Sequence, residues 1–187
     1  VGTTLAASVP HVAKCASDFL PHPLLNSLFV EPVDVSELDL LIDSLNVHKS
    51  CGADGVCPKL IKCNKIMLLE PLVLLFNMSL FSGVVPDKLK TAKVIPLHKK
   101  GATNLMSNYR PISLLSVFNK LLEKIVYKRV YNFLLKNKVI YKYQFGFRKN
   151  HSTSLALLEV MDYCYKAIDD GYKVLGVFFD LQKAFDT

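Results

Sequence analysis

The sequence lacks several features that would place it in a common class. It has no internal repeat, no low-complexity segment and no uninterrupted run approaching the roughly 18 apolar residues of a membrane span. Its first residues lack the basic flank and long apolar stretch of a signal peptide. We therefore expect a globular chain that does not associate with membranes.

Paired cysteines and zinc-type spacings are also missing. Five cysteines occur, an odd number, and the three central ones lie six residues apart rather than two to four. No histidine pair completes a metal site. We expect incidental, reduced thiols of an intracellular protein; they are Cys15, Cys51, Cys57, Cys63 and Cys164.

Acidic residues are nearly absent from one third of the chain. Residues 88–149 hold 15 Lys or Arg and a single acid, Glu123, whereas the whole chain has a net charge of +7. Such a local excess is typical of proteins that bind polyanions. Tyrosines and phenylalanines are interleaved with these cations, which favours nucleic acid over a solvated basic surface or a membrane.

Hydrophobic residues make up 51% of the 187 residues, enough for a packed core. Asp34 and Glu37 have the spacing of a capping box, and the apolar period behind them predicts a helix over 35–46. Residues 58–82 are predicted to be mostly helical, broken near Pro71 and ended by Gly83.

The second half alternates extended and helical patterns. Residues 92–97 and 109–112 are predicted to form a β-hairpin with a basic loop at its tip. A long helix is expected over 113–136, with Lys120, Lys124, Lys128 and Arg129 opposite its apolar stripe, and a second from Ser152 or Thr153 to Asp170.

The last predicted element is a continuously apolar stretch, 172–179, typical of a buried central strand. The fold class is therefore α+β. Asp180 follows this stretch. It could cap a following helix, or it could hold Mg²⁺, which takes carboxylate and phosphate oxygens.

Five blocks together resemble the reverse transcriptases of non-LTR (LINE-like, jockey-type) retrotransposons, in family order and spacing. Residues 49–62 are similar to the upstream K-S-x-G-x-D-G-x-x-P block, and FDLQKAFDT at 179–187 is similar to the first palm motif. The blocks between them are FNMSLFSGVVPDKLKTAKVIPLHKKG at 76–101, NYRPISLLSVFNKLLEKIVYKRV at 108–130 and QFGFRKNHST at 144–153. A maturase-like intron polymerase fits these blocks less well.

The resemblance implies roles at the palm motif. Asp180 is expected to be the catalytic metal ligand, and the main-chain carbonyl of Leu181 a second ligand. The N–H groups of Lys183 and Ala184 would face the phosphates of the incoming nucleotide. Phe185 would lie under the sugar and exclude a 2′-hydroxyl, although it could equally be a core aromatic.

The resemblance also implies roles for the basic segment. Arg110 would clamp the triphosphate with Lys99, or with the nearly equivalent Lys100. Pro111 and Ile112 are expected near the templating base. Arg148 and Lys149 would face the nucleic-acid backbone, as Lys100 could, unless these cations form an ordinary solvated surface.

The fold implied by the resemblance is an incomplete right-hand polymerase, with helical fingers and a β-hairpin leading into the first palm strand. Residues 1–33 are expected to be a connector, 34–171 the fingers and start of the palm, and 172–187 the first palm strand and motif. Both ends look like truncations.

The implied activity is RNA-directed DNA synthesis, with Mg²⁺ (two ions, or Mn²⁺), an RNA template, a DNA primer and dNTP as cofactor and partners. The expected location is intracellular, in nucleus and cytoplasm. Because one carboxylate cannot hold two metals, the chain by itself is expected to be inactive. The alternative is a non-catalytic nucleic-acid-binding remnant of such an element.

Overall fold

The structure, a computed structural model, describes residues 26–180. These residues fall into two compact units, one of residues 27–137 and another that includes residues 138–180. The elements in chain order are α1 (Val35–Asp43), α2 (Pro58–Cys63), α3 (Lys65–Ser82), α4 (Asp87–Lys90), β1 (Ala92–His98), a 3-10 turn (Met106–Asn108), β2 (Tyr109–Leu115), α5 (Val117–Lys136) and α6 (Thr153–Asp169).

Four helices enclose the core of the first unit. The side chains of Leu38 (α1), Ile61 (α2), Phe76 (α3) and Ile125 (α5) are each at most 1% exposed. Burying an aliphatic or aromatic side chain of this size contributes about 1.5–3 kcal/mol. This core fixes the base from which the β-hairpin projects.

Helix α1 begins where the capping pattern predicts. The Glu37 N–H donates to the Asp34 carboxylate at 2.7 Å. The segment before it is held by Asn77 on α3, whose side chain accepts from the Val33 N–H at 2.7 Å and donates to the Val33 carbonyl at 2.9 Å. The Asn77 side chain thus pairs with Val33 as a neighbouring strand would.

The predicted break near Pro71 is wrong, because the helices divide at Asn64 instead. The Asn64 side chain donates to the Leu60 carbonyl at 2.9 Å and so closes α2, while its own carbonyl accepts from the Met67 N–H and starts α3. Pro71 lies inside α3. Gly83, with φ +69°, ends α3 as predicted.

Helix α3 is long and apolar enough, by length and composition alone, to cross a membrane. The expectation that no segment approaches a membrane span is wrong for this helix. That expectation considered only unbroken apolar runs, whereas the apolar sequence of α3 is interrupted by Glu70 and Asn77. One face packs into the core through Leu72 and Phe76. The side chain of Phe81 is 97% exposed.

The predicted hairpin is confirmed: β1 pairs antiparallel with β2, from Ala92 opposite Leu115 to His98 opposite Tyr109. The long helix begins at Val117 and not at Ser113, because residues up to Leu115 are hydrogen-bonded into the hairpin. Ser116 caps the helix, accepting from the Phe118 N–H at 3.2 Å.

In the second unit, α6 begins as predicted at a Ser152 cap, and Gly171 follows its end with φ +80°. The buried central strand predicted over 172–179 is wrong: residues 173–180 form no regular secondary structure, and the side chain of Phe178 is 96% exposed. The described residues supply no strand that pairs with this stretch, so its backbone has no ladder to join.

Candidate nucleic-acid interface

The β-hairpin is an exposed two-stranded ribbon. Pro96 lies directly opposite Pro111, and the residues of β1 after Ala92 are exposed. Because proline has no N–H to donate, both residues fit only where their nitrogens face away from the partner strand. The same pair prevents a third strand from pairing at that point, which keeps the ribbon two-stranded.

One face of the ribbon combines cations with apolar side chains. Since side chains alternate along a strand, Lys93, Ile95 and Leu97 share a face with their partners on β2. Those partners are Leu114, Ile112 and Arg110. Continued one residue further, the alternation places Lys99 on this face beside Arg110. The face therefore offers positive charge at both ends of an apolar strip.

The loop at the tip is ordered by its own hydrogen bonds. The Lys99 N–H donates to the Asn108 carbonyl at 2.8 Å, and the Asn108 side chain donates to the Ala102 carbonyl at 2.8 Å. The Tyr109 hydroxyl donates to the Thr103 carbonyl at 2.8 Å. These bonds use backbone groups and neutral side chains, and leave the lysine side chains of the loop exposed.

The hairpin cations have no anionic partner in the part of the chain that the structure describes. Within residues 26–180, no ion pair or side-chain hydrogen bond involves Lys93, Lys99, Lys100 or Arg110. The stretch 91–115 contains no Asp or Glu. These charges are therefore available for an external polyanion.

The basic side of α5 is used differently from what its sequence suggests. The Arg129 guanidinium pairs with the Glu37 carboxylate at 2.8 Å and also donates to the carbonyls of Glu31 and Pro32. Lys128 binds the same carboxylate at 2.8 Å, and Lys124 donates to the Ser44 hydroxyl at 3.0 Å. These cations join α5 to α1 and the segment before it, which sequence periodicity could not reveal.

The pairing with Arg129 and Lys128 changes the pKa of the Glu37 carboxylate. Hydrogen bonds from Arg129, and then from Lys128, lower the pKa of Glu37 below its usual range against the opposing effect of burial. Glu37 therefore remains ionised well into the acidic range, and the contact between α1 and α5 remains charged.

The basic aromatic loop before α6 is folded around Arg148. Its guanidinium donates to the carbonyls of Tyr141, Lys142 and Gln144 at 3.2–3.4 Å, and its Nε is buried without a partner. Arg148 was predicted to face nucleic acid; the structure places its guanidinium against its own loop. Lys149 is exposed.

The block that resembles the first palm motif, residues 179–187, is described only at Phe179 and Asp180. Asp180 is exposed, while Leu181, Lys183, Ala184 and Phe185 lie outside the described residues. Within residues 26–180, no three Asp, Glu, His or Cys side chains come together. Asp180 supplies one carboxylate, so the described residues do not complete a site for divalent metal.

Comparison with known proteins supports the resemblance to reverse transcriptases. Residues 97–187, which include the hairpin tip and Arg110, match the family model described as reverse transcriptase (RNA-dependent DNA polymerase). A probable RNA-directed DNA polymerase from transposon BS of Drosophila melanogaster is 35% identical over 90% of this chain and 19% of its own length. The chain belongs to the reverse transcriptase family of non-LTR retrotransposons.

Other relatives agree with this assignment. The RNA-directed DNA polymerases from mobile element jockey of Drosophila melanogaster and Drosophila funebris are 34% and 32% identical over 94% and 91% of the chain. The chain spans about a fifth of the length of these relatives, 19% of each.

Membership of this family has general implications. Reverse transcriptases normally use divalent metal ions and bind a template and a primer. The mixture of helices with a two-stranded antiparallel sheet is consistent with part of a reverse transcriptase domain.

Proposed function

We propose that this chain provides nucleotide- and template-binding surfaces of an RNA-directed DNA polymerase that acts on an RNA template, a DNA primer and dNTP. The main support for the proposal is the β-hairpin, whose cations have no acidic partner among the described residues. Residues 34–171 would form the fingers and the start of the palm of a right-hand polymerase, 172–187 the first palm motif, and 1–33 a connector.

The hairpin face suggests how a nucleotide would be held. Lys99 and Arg110 would bind the triphosphate, because a guanidinium fork and a nearby ammonium match phosphate oxygens. Pro111 and Ile112, on the same strand, would lie near the templating base. Lys100, Arg148 and Lys149 would contact the nucleic-acid backbone; for Arg148 this requires its guanidinium to leave part of its present bonding.

The block that resembles the first palm motif would have nucleotide-binding roles of its own. Lys183 and Ala184 would present backbone N–H groups to the phosphates, and Phe185 would exclude a 2′-hydroxyl. Asp180 and the carbonyl of Leu181 would contribute to a site for two Mg²⁺ ions, or Mn²⁺, which needs carboxylates beyond those described. We propose an intracellular location, in nucleus and cytoplasm, with no membrane partner.

The proposed reaction is attack of the primer 3′-hydroxyl on the α-phosphate of dNTP. A phosphorus–oxygen bond forms to the primer, the bond between α- and β-phosphates breaks, pyrophosphate leaves and the hydroxyl proton passes to solvent. The contribution of the described residues is to bind and orient the nucleotide and template.

Binding is the direct test. Fluorescence anisotropy with a labelled RNA–DNA template–primer, repeated at several salt concentrations, should show affinity that falls with salt. Replacing Lys99 or Arg110 by Ala should weaken binding and lower the salt slope by about one, because without dNTP each of these cations is open to a nucleic-acid phosphate. Lys59→Ala, at an exposed lysine on α2, is the matched control. Salt-independent binding, or equal loss with the control, contradicts the proposal.

A non-catalytic nucleic-acid-binding role is the second candidate. It is favoured by the incomplete set of metal-binding side chains among residues 26–180. In a primer-extension assay with Mg²⁺, we expect this chain to bind template–primer and to incorporate no dNTP. Extension that depends on Mg²⁺ would rule out the binding-only role.

A further inference from the structure

The glycine-rich loop between α1 and α2 lies against the junction of β2 and α5. Gly52 is buried, and a Cβ at this position would lie 2.7 Å from the Ser116 nitrogen and 2.8 Å from the Leu115 carbonyl carbon and oxygen. These are backbone atoms, which cannot rotate away. Only glycine permits the loop to approach the end of the hairpin this closely.

A side-chain hydrogen bond joins the same two segments. The Ser116 hydroxyl donates to the Asp54 carboxylate at 2.6 Å, across 62 residues of sequence. The other oxygen of that carboxylate accepts from the Val56 N–H at 3.1 Å, which fixes the loop. Ser116 is 3% exposed and also caps α5 through the Phe118 N–H. One hydroxyl therefore connects the loop, the hairpin and the helix.

The position of this bond matters because the hairpin is exposed along its length. β1 and β2 have seven residues each, so the tip lies about 20 Å from the base. A small change of angle at Ser116 is amplified over that distance. The bond to Asp54 acts at the point where β2 leaves the helical core.

We propose that Asp54 is a positioning residue, which acts through Ser116 to hold the hairpin cations where they bind nucleic acid. This inference rests on the proposed function of the hairpin and gives a physical role to the glycine–aspartate block at residues 52–55. Asp54 need not touch nucleic acid for this role.

The sign of the effect of Asp54→Ala distinguishes positioning from simple electrostatics. Asp54 is negatively charged, and removal of a negative charge near a polyanion site strengthens binding if only through-space electrostatics operate. Loss of the correct hairpin position instead weakens binding. Asp54→Ala should therefore reduce affinity for a labelled single-stranded oligouridylate, by about tenfold or more for a lost hydrogen bond to a charged group.

Asp54→Asn provides the rescue, because an amide oxygen still accepts from the Ser116 hydroxyl. Its affinity should stay within about twofold of the parent chain. Ser116→Ala removes the same bond while the Asp54 charge stays, and it also removes the cap of α5, so it should weaken binding at least as much as Asp54→Ala. Glu70→Ala is the charge control: it removes an exposed carboxylate that has no partner among the described residues.

A double-mutant cycle with Arg110→Ala separates positioning from a general loss of stability. If Asp54 acts through the hairpin cations, Asp54→Ala should weaken binding much less in the Arg110→Ala background. Tighter binding by Asp54→Ala, full additivity with Arg110→Ala, or unfolding of both alanine variants at the assay temperature would overturn the inference. Absence of RNA binding by the parent chain, or no effect of Arg110→Ala, would instead overturn the proposed function.

Discussion

At the scale of single residues, the Arg129–Glu37 pair shows how a charge can serve the fold. The side chains are 9% and 13% exposed, and Arg129 also satisfies two backbone carbonyls. An arginine with this many partners is a structural cation. It differs from Arg110, whose exposed guanidinium has no partner among residues 26–180.

Glu37→Gln should reduce the free energy of unfolding by about 1–3 kcal/mol at neutral pH, because Arg129 loses its anion while remaining buried. The folded-state pKa of Glu37 is lowered, so the stability it contributes is present above the ordinary pKa of glutamate. That contribution is lost as pH falls through the lowered value.

Urea denaturation at successive pH values checks this. The difference in unfolding free energy between the parent chain and Glu37→Gln should be constant above about pH 5 and shrink as the pH falls below the ordinary pKa of glutamate. Glu70→Gln, at an exposed site on α3, is the control and should change the free energy of unfolding by less than about 0.5 kcal/mol at neutral pH. If the difference in unfolding free energy stayed constant over the whole pH range, ionic pairing would not be what stabilises the Arg129–Glu37 contact.

At the scale of elements, α3 contains a residue unfavourable to its own conformation. Pro71 lies in the helix interior, where its missing N–H leaves the Met67 carbonyl without the usual helical donor. The helix persists because Leu72 and Phe76 are buried in the core. Tertiary packing outweighs the local preference that the sequence pattern emphasises.

Pro71→Ala should raise the free energy of unfolding by about 1–3 kcal/mol, since the site is exposed and alanine restores the helical hydrogen bond. Urea denaturation measures the change. Glu70→Ala, one residue earlier, should alter stability by less than about 0.5 kcal/mol. A destabilised Pro71→Ala would show that proline at this position stabilises the packed helix.

At the scale of the whole chain, much apolar surface is left uncovered. No residue of α6 is buried, and Leu175, Phe178 and Phe179 are among the most exposed hydrophobic side chains of the described residues. Apolar β-rich segments with unpaired backbone groups promote association between chains. We expect this chain to self-associate as its concentration rises.

Phe178→Lys should shift that equilibrium toward monomer, because it removes apolar area and adds repulsion between copies. Sedimentation velocity over a range of concentrations would show it. Ser154→Lys, at an exposed position on α6, adds the same charge without removing apolar surface and should change self-association less. Equal effects of the two variants would assign the change to charge alone.

Local signals predicted local features well. The Asp34 cap, the Ser152 cap and the turn at Gly83 depend on interactions over a few residues, and the hairpin strands pair across one short loop; each is confirmed. The start of α5 was misplaced because Leu114 fits a helical stripe and a strand equally well. The pairing of Leu114 with Lys93 on β1 places Leu114 in the strand and not in the helix.

The sequence by itself determined the family, through ordered motifs, and the helix caps and hairpin, through short-range hydrogen bonding. Tertiary structure alone decided which cations are free. Arg129 and Arg110 both carry a guanidinium group, yet Arg129 pairs with Glu37 while Arg110 remains exposed. It also decided that Asp54 meets Ser116 across 62 residues. Long-range contacts of this kind depend on how the helices pack, which periodicity along the chain does not specify.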